Sequence, residues 1–149
     1  SVLFSKITDG NCENELLVTQ IAIPGTTELL EGPIRRIKTQ IIAGKLGLTS
    51  LEARRQAFFD LKKTGLAIQA RFFRAGDRFC PLGMTGSKKL KSFFIDQKVP
   101  QSMRSHIPIL TNADDDIIWV YGQRISHHYR VTDKTEKVLF IEGNKAINY

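Results

Sequence analysis

Apolar and β-branched residues come in short runs along this chain, and most runs stop at glycine, proline or small polar residues. Residues 15–23 end at Pro24-Gly25, which predicts a strand closed by a turn. Thr26 to Glu31 predicts a returning strand, ended by Gly32-Pro33. Residues 34–42 place apolar side chains at 34, 37 and 41, a helical spacing. Their β-branched content and their position after a hairpin fit a strand equally well, and so short a run does not decide between them. Residues 44–50 read as a loop, and 51–59 as either helix or extended chain. Leu66 to Phe73 alternates, with Leu66, Ile68, Ala70 and Phe72 on one side, as in a half-buried strand. It runs into a turn at Ala75-Gly76-Asp77.

The strongest helical signal follows Ser87, a good N-cap residue. Over residues 88–96, Leu90, Phe93 and Phe94 share one face while Lys88, Lys91 and Ser92 point elsewhere. Pro100 to Arg104 predicts a further helical turn. Three apolar runs then follow, Ile107 to Leu110, Ile117 to Tyr121 and Val138 to Ile141, with Asn112 to Asp116 as a turn between the first two. Their spacing predicts three strands in a compact antiparallel sheet. Leu90, Phe93 and Phe94 read as core, and Trp119 as core rather than a base-stacking platform. The class these elements suggest is α+β and β-rich, with a few short helices.

Composition narrows this picture without changing it. The 149 residues are 42% hydrophobic and 25% charged, close to a globular average. No apolar run reaches the roughly 18 residues of a membrane span. Ser1 to Lys6 lacks the pattern of a signal peptide. The absence of an initiator Met fits a processed chain or an excised piece. Cys12 and Cys80 are isolated and form no Cys-x-x-Cys pair, so a cysteine-based zinc site is not expected. Two free thiols in a reducing, cytoplasmic setting are the simplest reading.

The net charge of +7 is unevenly placed. Residues 71–110 hold eight Lys/Arg (Arg71, Arg74, Arg78, Lys88, Lys89, Lys91, Lys98, Arg104) against two acids, Asp77 and Asp96. A local cationic block attracts polyanions, which makes nucleic acid or an anionic membrane the natural partner class. A solvated basic face kept for solubility is the plain alternative.

Catalytic chemistry is sparse. Gly83 to Lys88 holds two glycines and a lysine but not the spacing of a phosphate-binding loop. His127 and His128 are adjacent, and on a strand they would face opposite sides, a poor geometry for one metal. No Gly-x-Ser-x-Gly elbow supports a hydrolase. Asp114-Asp115-Asp116 reads as a solvated turn rather than a Mg²⁺ site. A stand-alone enzyme would need a deep pocket, for instance one lined by Asp77, Arg78 and His106.

Residues 71–125 carry the most distinctive text. Arg71-Phe72-Phe73-Arg74-Ala75-Gly76-Asp77-Arg78-Phe79-Cys80-Pro81-Leu82-Gly83 is followed by Lys88-Lys89-Leu90-Lys91 with Phe94-Ile95-Asp96. Ile107-Pro108 with Arg104 comes next, then Trp119-Val120-Tyr121-Gly122-Gln123-Arg124-Ile125. Together with Ile23-Pro24-Gly25 and Phe58-Phe59-Asp60 upstream, this order resembles the C-terminal region of bacterial tRNA(Ile)-lysidine synthetases. The resemblance implies a fold like that of a phenylalanyl-tRNA synthetase β-subunit domain, with antiparallel sheets in a sandwich-like core. It also implies an RNA-facing role within an ATP-dependent ligase that attaches lysine to C2 of the wobble cytidine of an isoleucine tRNA with a CAU anticodon.

In that family ATP, with Mg, is held by an N-terminal catalytic domain marked by Ser-Gly-Gly-x-Asp-Ser. No Gly-Gly dipeptide occurs here, so no cofactor is expected within these residues. The partners implied are tRNA and that N-terminal domain. The division expected is a front region, 1–65, containing a β-hairpin, and a tRNA-binding domain, 66–149. The two could also form one compact unit.

The expected tRNA contacts are Arg74, Arg78, Lys88, Lys89, Lys91, Lys98, Arg104 and Arg124. For Arg104 and Arg124 an ion pair is an equal alternative. Gly76, Asp77, Pro81 and Gly83 are expected to shape turns, with Asp77 tying backbone amides or Arg78. Lys88, Lys89 and Lys91 at a helix start would oppose its dipole, a conflict that a bound phosphate would relieve. The competing reading is a protein-interaction module that docks on the catalytic domain or a second subunit.

Overall fold

The computed structural model describes residues 18–29, 34–43 and 55–144. Eleven strands are present among them: β1 (Thr19–Gln20), β2 (Gly25–Glu28), β3 (Arg36–Ala43), β4 (Gln56–Asp60), β5 (Gln69–Arg71), β6 (Arg78–Phe79), β7 (Lys88–Lys89), β8 (Ile109–Thr111), β9 (Ile117–Val120), β10 (Arg124–Ile125) and β11 (Lys137–Gly143). Three short helices join them: α1 (Leu61–Thr64), α2 (Leu90–Asp96) and α3 (Gln101–Arg104). A 3-10 turn covers His127–Tyr129.

The strands form two main antiparallel sheets. One has the order β1-β5-β8-β9-β10, the other β2-β3-β11-β4, and β6-β7 make a separate ribbon. The chain is thus β-rich, with few helices, as its hydrophobic pattern implies.

The open choice at residues 34–42 resolves to a strand. β3 pairs with β11 from Ile37 opposite Gly143 to Ala43 opposite Lys137. The apolar spacing at 34 and 37 is therefore not helical: Ile34 and Ile37 are simply buried in an extended chain. Residues 56–60, the described part of the other open stretch, are also a strand, paired with the opposite edge of β11. β11 thereby lies between β3 and β4, so the front of the chain and its last described strand share one sheet.

The expectation of a single sheet from the three late apolar runs needs correction. β8 and β9 pair with each other, but Val138 to Ile141 lies in β11, in the other sheet. The predicted strand at 66–73 shortens to Gln69–Arg71, because pairing with β1 and β8 covers only those positions. The loop expected at 44–50, the Glu31-Gly32-Pro33 stop and Cys12 lie outside the described residues.

One core joins the two sheets. All four residues of β9 are buried, although successive side chains on a strand point to opposite faces. Both faces of β9 are therefore covered. Trp119 meets Phe59 of the second sheet with ring centroids 6.2 Å apart and stacks near Tyr121 at 4.8 Å. Leu90, Phe93 and Phe94 of α2 are buried in the same apolar cluster. Phe93 sits edge-on to Phe79, and Phe94 edge-on to Phe73, pairs that align α2 with the β6 strand and the turn before it. At the end of β11, Gly143 lies directly against Tyr121, and a methyl group there would overlap the ring.

The start of α2 differs from expectation. The helix begins at Leu90, its N-cap position is Lys89, and no side chain caps it. Ser87 instead accepts a hydrogen bond from Arg78 Nε at 3.0 Å. Lys88 and Lys89 are a strand, paired with Phe79 and Arg78. Ribbon pairing outcompetes the capping signal because Leu90 N–H already has a partner, the Asp77 carbonyl at 2.8 Å.

Candidate nucleic-acid interface

The turn after β5 is built around a buried guanidinium. Arg71 is 2% exposed and donates to both carboxylate oxygens of Asp77 at 3.0 Å. Its Nε donates to Asp115 at 3.1 Å, and Nη1 also reaches the Phe72 carbonyl at 3.0 Å. Asp77 further accepts the Arg74 backbone N–H at 2.8 Å. Asp77 thus ties a backbone amide, and its guanidinium partner is Arg71 rather than Arg78. Burial alone would lower the pKa of Arg71, but the two carboxylates outweigh it and the net shift is upward. Gly76, at φ +92°, supplies the left-handed residue that lets this turn reverse.

The opposing turn carries Asp115, the non-glycine residue of that turn at positive φ. The Asn112 side chain accepts the N–H groups of Asp114 and Asp116 at 3.0 Å each. Tyr129 accepts from Asn112 at 2.9 Å and donates to Asp116 at 3.0 Å. The Asp114–Asp116 run is therefore an Asx-type turn, and Asp115 turns inward to Arg71 and, at 3.7 Å, to Arg74.

Beside these turns lies an open groove of about 480 Å³. Phe73, Ala75, Gly76 and Asp77 form one side. Lys89 and Lys91 enter from the ribbon and α2, and Gln101, Arg104 and Ser105 from α3. Among the described residues, Lys89, Lys91 and Arg104 have no ion-pair partner. Arg104 uses its Nε to hold the Val99 carbonyl at 3.1 Å, which leaves its terminal amines for another acceptor.

The other expected contact residues are placed differently. Arg74 leans on Asp115, Arg78 on Ser87, and Lys88 forms an ion pair with Asp96. Lys98 is exposed just past α2, at φ +59°. Arg124 is half-buried in β10. Pro81 bridges to Ser126, and Gly83, at φ +90°, follows it in a turn closed by Met84 N–H on the Pro81 carbonyl. Phe73, Gln101 and Ser105 were not marked by sequence as candidates. Phe73 precedes the turn after β5 while Gln101 and Ser105 belong to α3 and its end, and only folding brings them to one groove.

Arg78 and His106 do not line this groove, so Asp77 does not share it with them. His127 and His128 lie on the 3-10 turn rather than on a strand. His127 Nδ1 accepts the Gly83 N–H at 3.2 Å, and its pKa is lowered by local desolvation and by Arg130 and His128. No group of His, Cys, Asp or Glu among the described residues could hold a metal ion. No helix among them is long and apolar enough to cross a membrane.

Two antiparallel sheets around one core, with a cation-rimmed groove at one side, define a small β-rich domain. Residues 68–141 match the family described as the TilS substrate C-terminal domain, and that stretch of the chain belongs to it. The chain is 36% identical over 118 residues to the tRNA(Ile)-lysidine synthase of Dehalococcoides mccartyi, a match covering 79% of this chain and 24% of that protein. It therefore spans about a quarter of that relative's length.

The fold superposes on the crystal structure of a TilS C-terminal domain with TM-score 0.70 and 24% identity, over 89% of this chain and 98% of that one. An N-terminal fragment of the Pyrococcus horikoshii phenylalanyl-tRNA synthetase β-subunit gives TM-score 0.61 and 17% identity, over 74% of this chain and 39% of that one. The family and the fold read from residues 71–125 are both borne out.

Proposed function

We propose that this module holds tRNA for a tRNA(Ile)-lysidine synthase through phosphate contacts centred on Lys89, Lys91 and Arg104. The observation that carries the reading is their convergence on one groove without acidic partners. Arg78, Lys98 and Arg124 extend the basic surface, while Arg74 and Lys88 contribute less because each already meets a carboxylate. Lys88 lies in the strand ahead of α2, whereas Lys89 is the N-cap position and Lys91 follows in the first turn.

In this reading the complete enzyme uses ATP, with Mg, in an N-terminal domain to join lysine to C2 of the wobble cytidine of a CAU-anticodon isoleucine tRNA in the cytoplasm. The present module supplies grip rather than chemistry. An A-form stem hides its base edges in a deep major groove, so shape and backbone are what such a surface can read.

Binding of the chain to isoleucine tRNA, measured by fluorescence anisotropy across salt, tests the proposal. Three phosphate contacts give a log K against log salt slope of about −3. The combined change Lys89→Glu, Lys91→Glu and Arg104→Glu lowers affinity at least about tenfold. A flat salt response, or undiminished binding by that variant, rejects the reading.

A further inference from the structure

The groove has a feature that stem binding leaves unused: it is concave, and Phe73 and Ala75 give it an apolar side. A duplex presents phosphates and 2′-hydroxyls on its outside and keeps base faces stacked within. Lysines on a flat surface would serve it as well. An unstacked nucleotide differs, because it offers a π-face and carries its own phosphate.

We infer that the groove seats one unstacked RNA nucleotide, its base against Phe73 and its phosphate among Lys89, Lys91 and Arg104. This rests on the RNA-binding reading above and adds a ligand to it. Phe73 is half-buried, steadied by its edge contact with Phe94 at 5.8 Å. Gly76 lines the same wall and faces open space, since a Cβ there would meet nothing within 4 Å. Asp77 lines the groove as well, but Arg71 matches its charge, so the uncompensated charge facing a ligand is positive. The volume of about 480 Å³ lies within the range of roughly 300–1,000 Å³ usual for small-ligand sites.

Gln101 and Ser105 stand at the rim, and each can donate or accept a hydrogen bond. Such groups satisfy any base edge, so the groove detects an unpaired nucleotide without selecting its identity.

The test compares a blunt-ended hairpin RNA with the same hairpin carrying a short single-stranded tail. The tailed RNA binds about tenfold tighter, the scale of one base–aromatic stack. Ser105→Leu narrows the groove without removing a cation or adding a ring face, and with it the ratio of tailed to blunt affinity falls toward one. Phe73→Leu keeps an apolar side chain but removes the ring face, and it lowers the same ratio; thermal unfolding verifies that both variants fold. Adenosine and uridine tails differ by less than about threefold. Equal binding of tailed and blunt RNA by the native chain, or a ratio unmoved by both variants, overturns the inference alone. Failure of both RNAs to bind overturns the RNA-binding reading with it.

Discussion

Arg71 and Lys91 belong to the same basic stretch of sequence, and the fold treats them in opposite ways. Arg71 is 2% exposed and enclosed by Asp77 and Asp115. Lys91 is exposed at the rim of a groove and has no carboxylate within reach among the described residues. The planar fork of arginine suits the first position, since it satisfies two carboxylates and a carbonyl at once. A lysine's single ammonium suits the second, where it stays hydrated until a phosphate displaces the water. Of the eight cations in residues 71–110, two are therefore already matched. Asp77 and Asp115 take up Arg71, and Asp96 takes up Lys88. What remains for an RNA is fewer cations than the block contains, and three of them, Lys89, Lys91 and Arg104, line one groove.

The largest effect expected from this contrast is on stability. Arg71→Met removes one partner of a buried pair and leaves the Asp77 carboxylate, 10% exposed, without its guanidinium. Breaking such a pair costs about 3–5 kcal/mol, readable as a shift in the urea unfolding midpoint at unchanged m-value. Adding Asp77→Asn removes the orphaned charge and restores at least about 1 kcal/mol of that loss. A single variant within about 0.5 kcal/mol of the native chain would dissolve the distinction between a structural and an available cation.

The same distinction explains what sequence could reveal. Short-range signals were legible: the apolar face of Leu90, Phe93 and Phe94, the strands at Ile109 and Ile117, and the tie made by Asp77 to its own turn. Decisions made by distant partners were not. Residues 34–42 are a strand because β11 pairs beside them, and nothing local in Ile37 or Ile41 encodes that. Ser87 carries a sound capping signal that loses to ribbon pairing between Lys88-Lys89 and Arg78-Phe79. Asp96 cancels Lys88 from eight residues away, across α2, while Lys89 next door stays unpaired. The groove draws Phe73, Lys89, Lys91 and Arg104 from three segments, so the basic composition was visible but its shape was not.

An intermediate effect lies in the turn that delivers Asp115 to Arg71. Tyr129 holds that turn through Asn112 and Asp116, and burial, aided by Asp116, pushes its pKa up to about 12. An unfolded tyrosine ionises near 10. Between about 10 and 12 the folded chain keeps a proton that the unfolded chain releases, so stability falls as pH rises through that window. Tyr129→Phe removes this alkaline slope and costs about 1–2 kcal/mol at neutral pH through the two lost hydrogen bonds. Thermal unfolding at a series of alkaline pH values, with tyrosinate absorbance followed in parallel, checks both outcomes. Tyr121, also raised by burial, adds a further alkaline loss that persists in the variant. A turn unmoved by Tyr129→Phe would mean that Asp115 is held by Arg71 rather than presented to it.

The smallest expected change in stability is at the groove, and there it coincides with a change in binding. Lys89 and Lys91 hold nothing in the folded chain, so converting both to Gln shifts the melting temperature by no more than about 2 °C. Each lysine that neutralises a phosphate releases a counterion, so losing both makes the log K against log salt slope shallower by about 2. Arg71 must show the reverse ordering, with a large stability cost and, in the fraction that remains folded, an unaltered salt slope. The slope is the sharper measurement of the two. Affinity falls for any damaged protein, whereas the number of ions released counts the phosphates that the groove's own cations touch.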